Sequence, residues 1–370
     1  MDYGIISADD HIDLRFLPPD LWQSRVPAAL RDRAPRVVDQ GQGPVWVCGD
    51  SNWGPWGRGG HSGLKWAVER DDSYDGAPRP TVPELRLADM TRDGVDASVM
   101  YGPVALLQAD DPAVRQACYT AYNDWLVEFC QAEPRRLIGA GMLPADDPAL
   151  ATQELQRLAR LGLRHAMLLA AVADPPIYHP AWEPFWATAA ETGIPIGLHL
   201  IVRPPDAHPG VSSLAASVSN GVRAPLQLVD PLAALIFSGV FERYPALRLV
   251  LAESGIAWLP FTLQRMDREY GKYTRFAADF WAARGGIPLS MRPSEYFQRQ
   301  VWATFQDDPV GLAMVSYIGE DRVMWASDYP HPDSTWPYSQ QVIADTMGNL
   351  PAATRQKITR DNARALYGLS

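Results

Sequence analysis

The sequence predicts an α/β chain folded as a (β/α)8 barrel, and three features of its 370 residues point there. Eight short runs are continuously apolar, as strands covered on both faces should be. Longer amphipathic segments fall between them, the alternation of repeated β-α units around a parallel sheet. Acidic and histidine residues collect where several of the runs end, and barrel enzymes build their sites at the C-terminal ends of the strands.

The strands are expected at Ile5 to Asp9, Ala97 to Tyr101, Ile138 to Met142, His165 to Leu169, Ile194 to Leu200, Leu247 to Glu253, Val301 to Phe305 and Val323 to Asp328. Helices are expected at Val82 to Arg92, Asp111 to Glu133, Pro148 to Leu161, Pro180 to Thr192, Pro231 to Arg243, Leu259 to Tyr270, Pro309 to Ile318 and Pro351 to Tyr367. Asp146-Asp147 supplies short carboxyl side chains suited to an N-cap, and proline opens several of the others, where its missing N–H costs nothing. No internal repeat or linker divides the chain, so residues 1–370 read as one domain. Eight strands with eight crossovers favour closure over an open sheet.

Between the first strand and the first long helix lies an insertion over about residues 38–80, rich in tryptophan (Trp46, Trp53, Trp56, Trp66) and without clear periodicity. It reads as a long loop. Its indoles either pack on the barrel body or form an aromatic lid, with Trp53 and Trp56 as candidate substrate contacts.

Composition narrows the functions. A net charge of −10 argues against nucleic acid or an anionic membrane as partner. No apolar run reaches the roughly 18 residues of a membrane span, and the N-terminus has no secretory pattern. Cys48, Cys118 and Cys130 show no metal-type spacing and suit a reducing compartment. A cytoplasmic, homodimeric enzyme acting on a small molecule is expected.

The chemistry rests on where ionisable residues fall. The first strand ends in Asp9-Asp10-His11, the fifth in His199, the sixth in Glu253 and the eighth in Asp328. Because side chains alternate along a strand, Asp9 and His11 point one way and Asp10 the other. Taken singly, Asp9 or Asp328 reads as a turn residue and His199 as a hydrogen-bonded core histidine. Taken together, two imidazoles and several carboxylates on one mouth repel and lose hydration unless a cation lies between them. Nitrogen and oxygen donors suit Zn²⁺, Mn²⁺ or Fe²⁺. One divalent ion is therefore expected on Asp9, His11, His199 and Asp328. Glu253, Asp328 and His331 are candidate acid-base groups. Arg203 and His208, after the fifth strand, are candidate carboxylate contacts. His165 and His179 sit at element starts and read as structural, and His61 is a weaker candidate in the insertion.

Ser7-Ala8-Asp9-Asp10-His11, Gly197-Leu198-His199, Leu251-Ala252-Glu253-Ser254-Gly255 and Ala326-Ser327-Asp328-Tyr329-Pro330-His331 resemble the signature blocks of the amidohydrolase superfamily. Phe241-Glu242-Arg243-Tyr244-Pro245, Trp258-Leu259-Pro260, Arg265-Met266-Asp267 and Asn362-Ala363-Arg364 resemble its branch related to aminocarboxymuconate-semialdehyde decarboxylase. The resemblance spans nearly the whole chain. It implies a distorted TIM barrel with one metal, often Zn²⁺, on Asp9, His11, His199 and Asp328. Two positions depart from the branch. Asp9 stands where many members carry histidine, which shifts preference toward harder ions such as Mn²⁺ or Mg²⁺. Glu253 stands where the decarboxylases carry a histidine that assists protonation. The fourth strand offers no lysine to bridge a second metal. Zn²⁺ is the first expectation, with Mn²⁺, Fe²⁺ and Mg²⁺ behind it.

On this reading the expected activity is hydrolysis of a small aromatic or unsaturated carbonyl compound or acid by metal-activated water, with Asp328 moving the proton. The alternative is non-oxidative decarboxylation of an aromatic or muconate-like acid. A third reading, from another class, is a silent barrel used as a binding protein.

Overall fold

The computed structural model describes residues 2–39, 41, 43–57, 77–103, 109–201, 212–276 and 278–370. Its centre is an eight-stranded parallel sheet of β1 (Ile6–His11), β5 (Ala97–Tyr101), β6 (Leu137–Met142), β7 (His165–Leu168), β8 (Ile196–His199), β9 (Leu249–Ala252), β10 (Val301–Phe305) and β11 (Val323–Trp325). The strands neighbour one another in that order, as a chain of right-handed β-α units requires. Pairings such as Ile6 with Ala97, Leu198 with Leu251 and Phe305 with Trp325 roll the sheet into a nearly closed barrel surrounded by helices. Almost every strand residue is buried, the consequence of helices outside and side chains filling the interior.

The last seam differs from the rest. Among the described residues, no strand ladder joins β1 to β11. Single backbone bonds cross there instead: His11 N–H donates to Tyr329 O at 2.6 Å and Asp328 N–H to Asp9 O at 3.0 Å.

The helices follow their local signals. Asp111 and Asp147 each accept two backbone N–H groups ahead of a proline-led helix, Pro112–Cys130 and Pro148–Leu161. Helix Pro83–Asp93 ends on Gly94 in the left-handed region (φ 74°). Other segments depart from expectation. The helix expected over 231–243 is two, Val229–Phe237 and Val240–Arg243, because Gly239 turns the chain with φ 76°. The segment expected as one helix over 309–318 divides at Met314. Helices Ser213–Arg223 and Pro293–Gln300 were not foreseen, and the helix from Leu259 runs on to Phe276.

The insertion is a correction too. Rather than a loop throughout, it opens with an antiparallel sheet of β2 (Arg36–Asp39), β3 (Pro44–Cys48) and β4 (Ser51–Pro55). Trp46 and Trp53 leave that sheet to pack edge-on against Trp22, with ring centroids 4.8 and 6.1 Å apart. Trp46 Nε1 donates to Leu14 O at 2.8 Å. Residues 58–76, with His61 and Trp66, lie outside the described residues.

Inside the barrel, Tyr101 and His165 fill the space beneath the mouth. His165 Nδ1 faces Pro195 O at 2.9 Å, so it carries the proton and Nε2 accepts from the Tyr101 hydroxyl at 2.7 Å. Gly197 makes room for the pair, since a Cβ there would lie 2.8 Å from both rings. The three cysteines are buried and unpaired. Among the described residues no helix is long and apolar enough to cross a membrane.

Candidate metal centre and active site

Six of the residues singled out in the sequence meet at the C-terminal mouth. Asp9 and His11 come from β1, which bulges between Ser7 and Asp10 and still sends Asp10 outward. His199 ends β8. Glu253 and Asp328 follow β9 and β11, both with positive φ (51° and 61°), a strained backbone that turns each side chain into the mouth. Strain of this kind persists only where its surroundings hold it, and functional sites are where it gathers.

Asp9 and His199 are each oriented by hydrogen bonds on the side away from the mouth. Asp9 Oδ2 accepts from Glu253 N–H at 2.6 Å and from Thr304 Oγ at 2.7 Å, leaving Oδ1 bare. His199 Nδ1 donates to Leu200 O at 2.7 Å, so Nε2 presents its lone pair. His11 stacks on His331, with centroids 3.9 Å apart. Asp328 Oδ1 lies 3.0 Å from both His11 Nε2 and His331 Nδ1. Among the described residues, four buried atoms at the mouth make no hydrogen bond: Asp9 Oδ1, His11 Nε2, His199 Nε2 and Asp328 Oδ2. Asp9 Oδ1 is 3.6 Å from His11 Nε2 and 3.9 Å from His199 Nε2. Ligands of one ion bonded at about 2.1 Å stand roughly 3–3.5 Å apart, so modest closure would bring these atoms onto a metal. Glu253 Oε2, 3.4 Å from His199 Nε2, reaches the same space.

The electrostatics explain the spacing. Burial lowers His199 to about 4, and burial with the neighbouring His331 and His199 drops His11 well below its usual range. Both imidazoles are therefore neutral near pH 7, the form that ligates metal. Burial raises Asp9 and Glu253 well above the carboxylate range, and the Asp328 carboxylate adds to both. Burial likewise pushes Asp328 up to about 7 against the pull of His331. Burial alone would lower His331, but the carboxylates of Asp328 and Asp13 hold it well above the imidazole range. A cation among these groups would relieve the repulsion and the lost hydration together. The donor set fits a divalent ion.

Asp13 was not foreseen. Its Oδ1 lies 3.2 Å from His331 Nε2, so His331 is held between two carboxylates. The signal was present, since Asp13 continues the alternation of Asp9 and His11. Thr304, which orients Asp9 from the middle of β10, carries no such signal.

The proposed substrate contacts fare differently. Trp53 is buried against Trp22 in the inserted sheet, where an apolar ring gains most by leaving water. Trp56 is half-buried and donates from Nε1 to Leu17 O at 2.8 Å. Arg203 and His208 lie outside the described residues.

The chain is 27% identical over 309 residues to gamma-resorcylate decarboxylase of Rhizobium radiobacter, spanning 78% of this chain and 88% of that one. It is 24% identical over 291 residues to 2-amino-3-carboxymuconate-6-semialdehyde decarboxylase of Dictyostelium discoideum, covering 78% and 77%. Among solved structures, 5-carboxyvanillate decarboxylase from Sphingomonas paucimobilis superposes with a TM-score of 0.69, at 22% identity and 100% coverage of both chains. Dihydroxybenzoic acid decarboxylase from Polaromonas, solved with bound manganese and 2-nitroresorcinol, superposes with a TM-score of 0.65 at 20% identity, covering 100% and 98%. The amidohydrolase family model matches residues 16–369. With that match over nearly its whole length, the chain belongs to the amidohydrolase family, in the branch that contains these decarboxylases, and is an enzyme.

Proposed function

We propose that this enzyme removes the carboxyl group of an aromatic acid as CO₂, without an oxidant, using one divalent ion held by Asp9, His11, His199 and Asp328. The observation that carries the metal is a set of four buried atoms without hydrogen bonds, in two overlapping donor groups that share His11: Asp9 with His199, and Asp328 with Glu253 and His331. Decarboxylation is preferred over the hydrolysis expected from the sequence because curated relatives along most of the chain are decarboxylases. Mn²⁺ takes precedence over Zn²⁺, since a manganese-bound relative shares the fold and carboxylates suit a hard ion.

When bound, the ion supplies positive charge that draws the substrate carboxylate and a neighbouring oxygen to the mouth. The protein's own groups do the rest. Glu253, its carboxyl raised chiefly by burial, carries the proton that decarboxylation needs. It gives that proton to the ring carbon bearing the carboxylate. The bond to the carboxylate then breaks, its electron pair returns to the ring, and CO₂ leaves. Solvent reprotonates Glu253, whose side chain is 16% exposed. Glu253 thus takes the place of the histidine of the related decarboxylases. His331, held as a cation by Asp13 and Asp328, favours an anionic substrate and fixes the Asp328 carboxylate.

The test is turnover by the Mn²⁺-loaded protein of 2,6-dihydroxybenzoate, 5-carboxyvanillate and related hydroxybenzoic acids, following CO₂. One CO₂ per product, with a solvent deuteron at the vacated ring carbon in D₂O, is expected. Ester or amide cleavage with ¹⁸O entering from water, and no CO₂ from any acid, would return the enzyme to the hydrolases.

A further inference from the structure

We propose that Asp10 and Arg86 are positioning residues that set the distance between the two halves of the metal site across the seam of the barrel. The proposal rests on the metal reading above. Asp9 and His11 lie on one side of that seam and Asp328 on the other. With no strand ladder between β1 and β11 among the described residues, single backbone bonds such as Asp328 N–H to Asp9 O span the seam, and its spacing needs further support.

Asp10 supplies it. Its carboxylate, facing outward from between the two β1 donors, accepts from Ser7 Oγ at 2.7 Å and Ser327 Oγ at 2.6 Å. It also accepts from Tyr329 N–H at 3.2 Å and from Ser98 Oγ. Ser327 and Tyr329 are the two neighbours of Asp328, so one buried carboxylate joins both flanks of that residue to β1 and β5. Arg86, fully buried on helix Pro83–Asp93, closes the cluster. Its fork donates to His11 O at 2.8 Å, to Pro80 O at 3.2 Å and to Ser98 Oγ at 3.1 Å, and lies 3.7 Å from Asp10. A lysine could not reach those acceptors at once, because a single ammonium lacks the planar fork.

The same helix face carries Asp89 and Asp93. Asp89 accepts from the Tyr329 hydroxyl at 2.6 Å and from Arg79. Asp93 binds Ser339, beyond the metal loops, and serves as an internal control.

The experiment measures Mn²⁺ affinity, by EPR titration of metal-free protein, for the wild type and for Asp10→Asn, Arg86→Lys, Ser327→Ala and Asp93→Asn. Residues that orient metal ligands from outside typically change affinity 10- to 100-fold. Asp10→Asn and Arg86→Lys should raise the Mn²⁺ Kd by about that factor, and Ser327→Ala, which removes one hydroxyl, by less. Asp93→Asn should stay within about twofold. Should Asp10→Asn fail to fold, the other two seam variants carry the test. Folded seam variants that melt lower but bind Mn²⁺ within about twofold of wild type would overturn the proposal and leave the metal reading intact. A wild-type protein that binds no Mn²⁺ would overturn the metal reading, and this one with it.

Discussion

On the β1–β11 side of the mouth, Asp9, His11 and Asp328 are tied to one another through Asp10, Arg86, Ser327 and Tyr329, all buried. On the β8–β9 side, His199 is fixed mainly by the carbonyl of the next residue, and Glu253 by its strained backbone, whose N–H donates to Asp9 and Thr304. The first side is built to hold charged donors at set distances. The second leaves a carboxyl with 16% of its side chain exposed. The difference suits a division of labour in which rigid donors bind the ion while a less confined acid exchanges its proton with solvent.

The sharpest way to break that division is Asp328→Asn, which keeps the shape but removes charge from the ion and a partner from His331. Turnover should fall by more than about 10²-fold, beyond the range typical of residues that only orient a metal's ligands, because a charged ligand of the proposed ion is lost. Unchanged kcat in this variant would end the mechanism. Next in size is the metal itself. Restoring Mn²⁺ to stripped protein should stabilise it by roughly 4 kcal/mol at a thousandfold excess over Kd. Calorimetric melting curves that coincide with and without Mn²⁺ would contradict a site on the folded chain. On the opposite side, Glu253→Gln should lower kcat by about 10²-fold with little change in Mn²⁺ affinity, because only the transferable proton is removed. If affinity falls instead and kcat recovers at saturating Mn²⁺, Glu253 belongs with the ligands and the division disappears.

The sequence announced the mouth better than the frame behind it. A continuous apolar run that stops at Asp9, His199 or Glu253 is readable, since nothing else ends a buried strand in charge. Arg86, Asp89 and Asp93 were not readable in the same way. Charges at helical spacing normally mark a solvated face, and nothing local says that this face turns inward onto a barrel seam. The sheet within the insertion was hidden for another reason: glycine and proline interrupt the alternation that Val45, Trp46 and Val47 begin. Asp13 lies beyond the expected strand end at Asp9, whereas the structure carries that strand to His11 and so brings Asp13 to the mouth.

The smallest expected effect concerns Asp93, at the far end of the helix that clamps the seam. Burial pushes its carboxyl up to about 6 from an ordinary 3.8, against the opposing hydrogen bonds of Ser339. Asp10 adds to the rise and Arg92 opposes it. Between those two values the folded chain binds a proton at Asp93 that the unfolded chain has released. The resulting stabilisation is complete below pH 3.8 and is lost as pH rises through 6. It amounts to at most about 3 kcal/mol. Asp93→Asn cannot titrate, so the stability difference between wild type and variant should shift in the variant's favour as pH rises from 4 to 7. Taking that difference cancels the titration of the metal-site carboxylates, which both proteins share. Urea unfolding at several pH values, with Mn²⁺ absent throughout, reads it directly. A difference that stays constant over this range would mean that Ser339 and Arg92 offset the burial, leaving Asp93 as a plain latch with no pH dependence of its own.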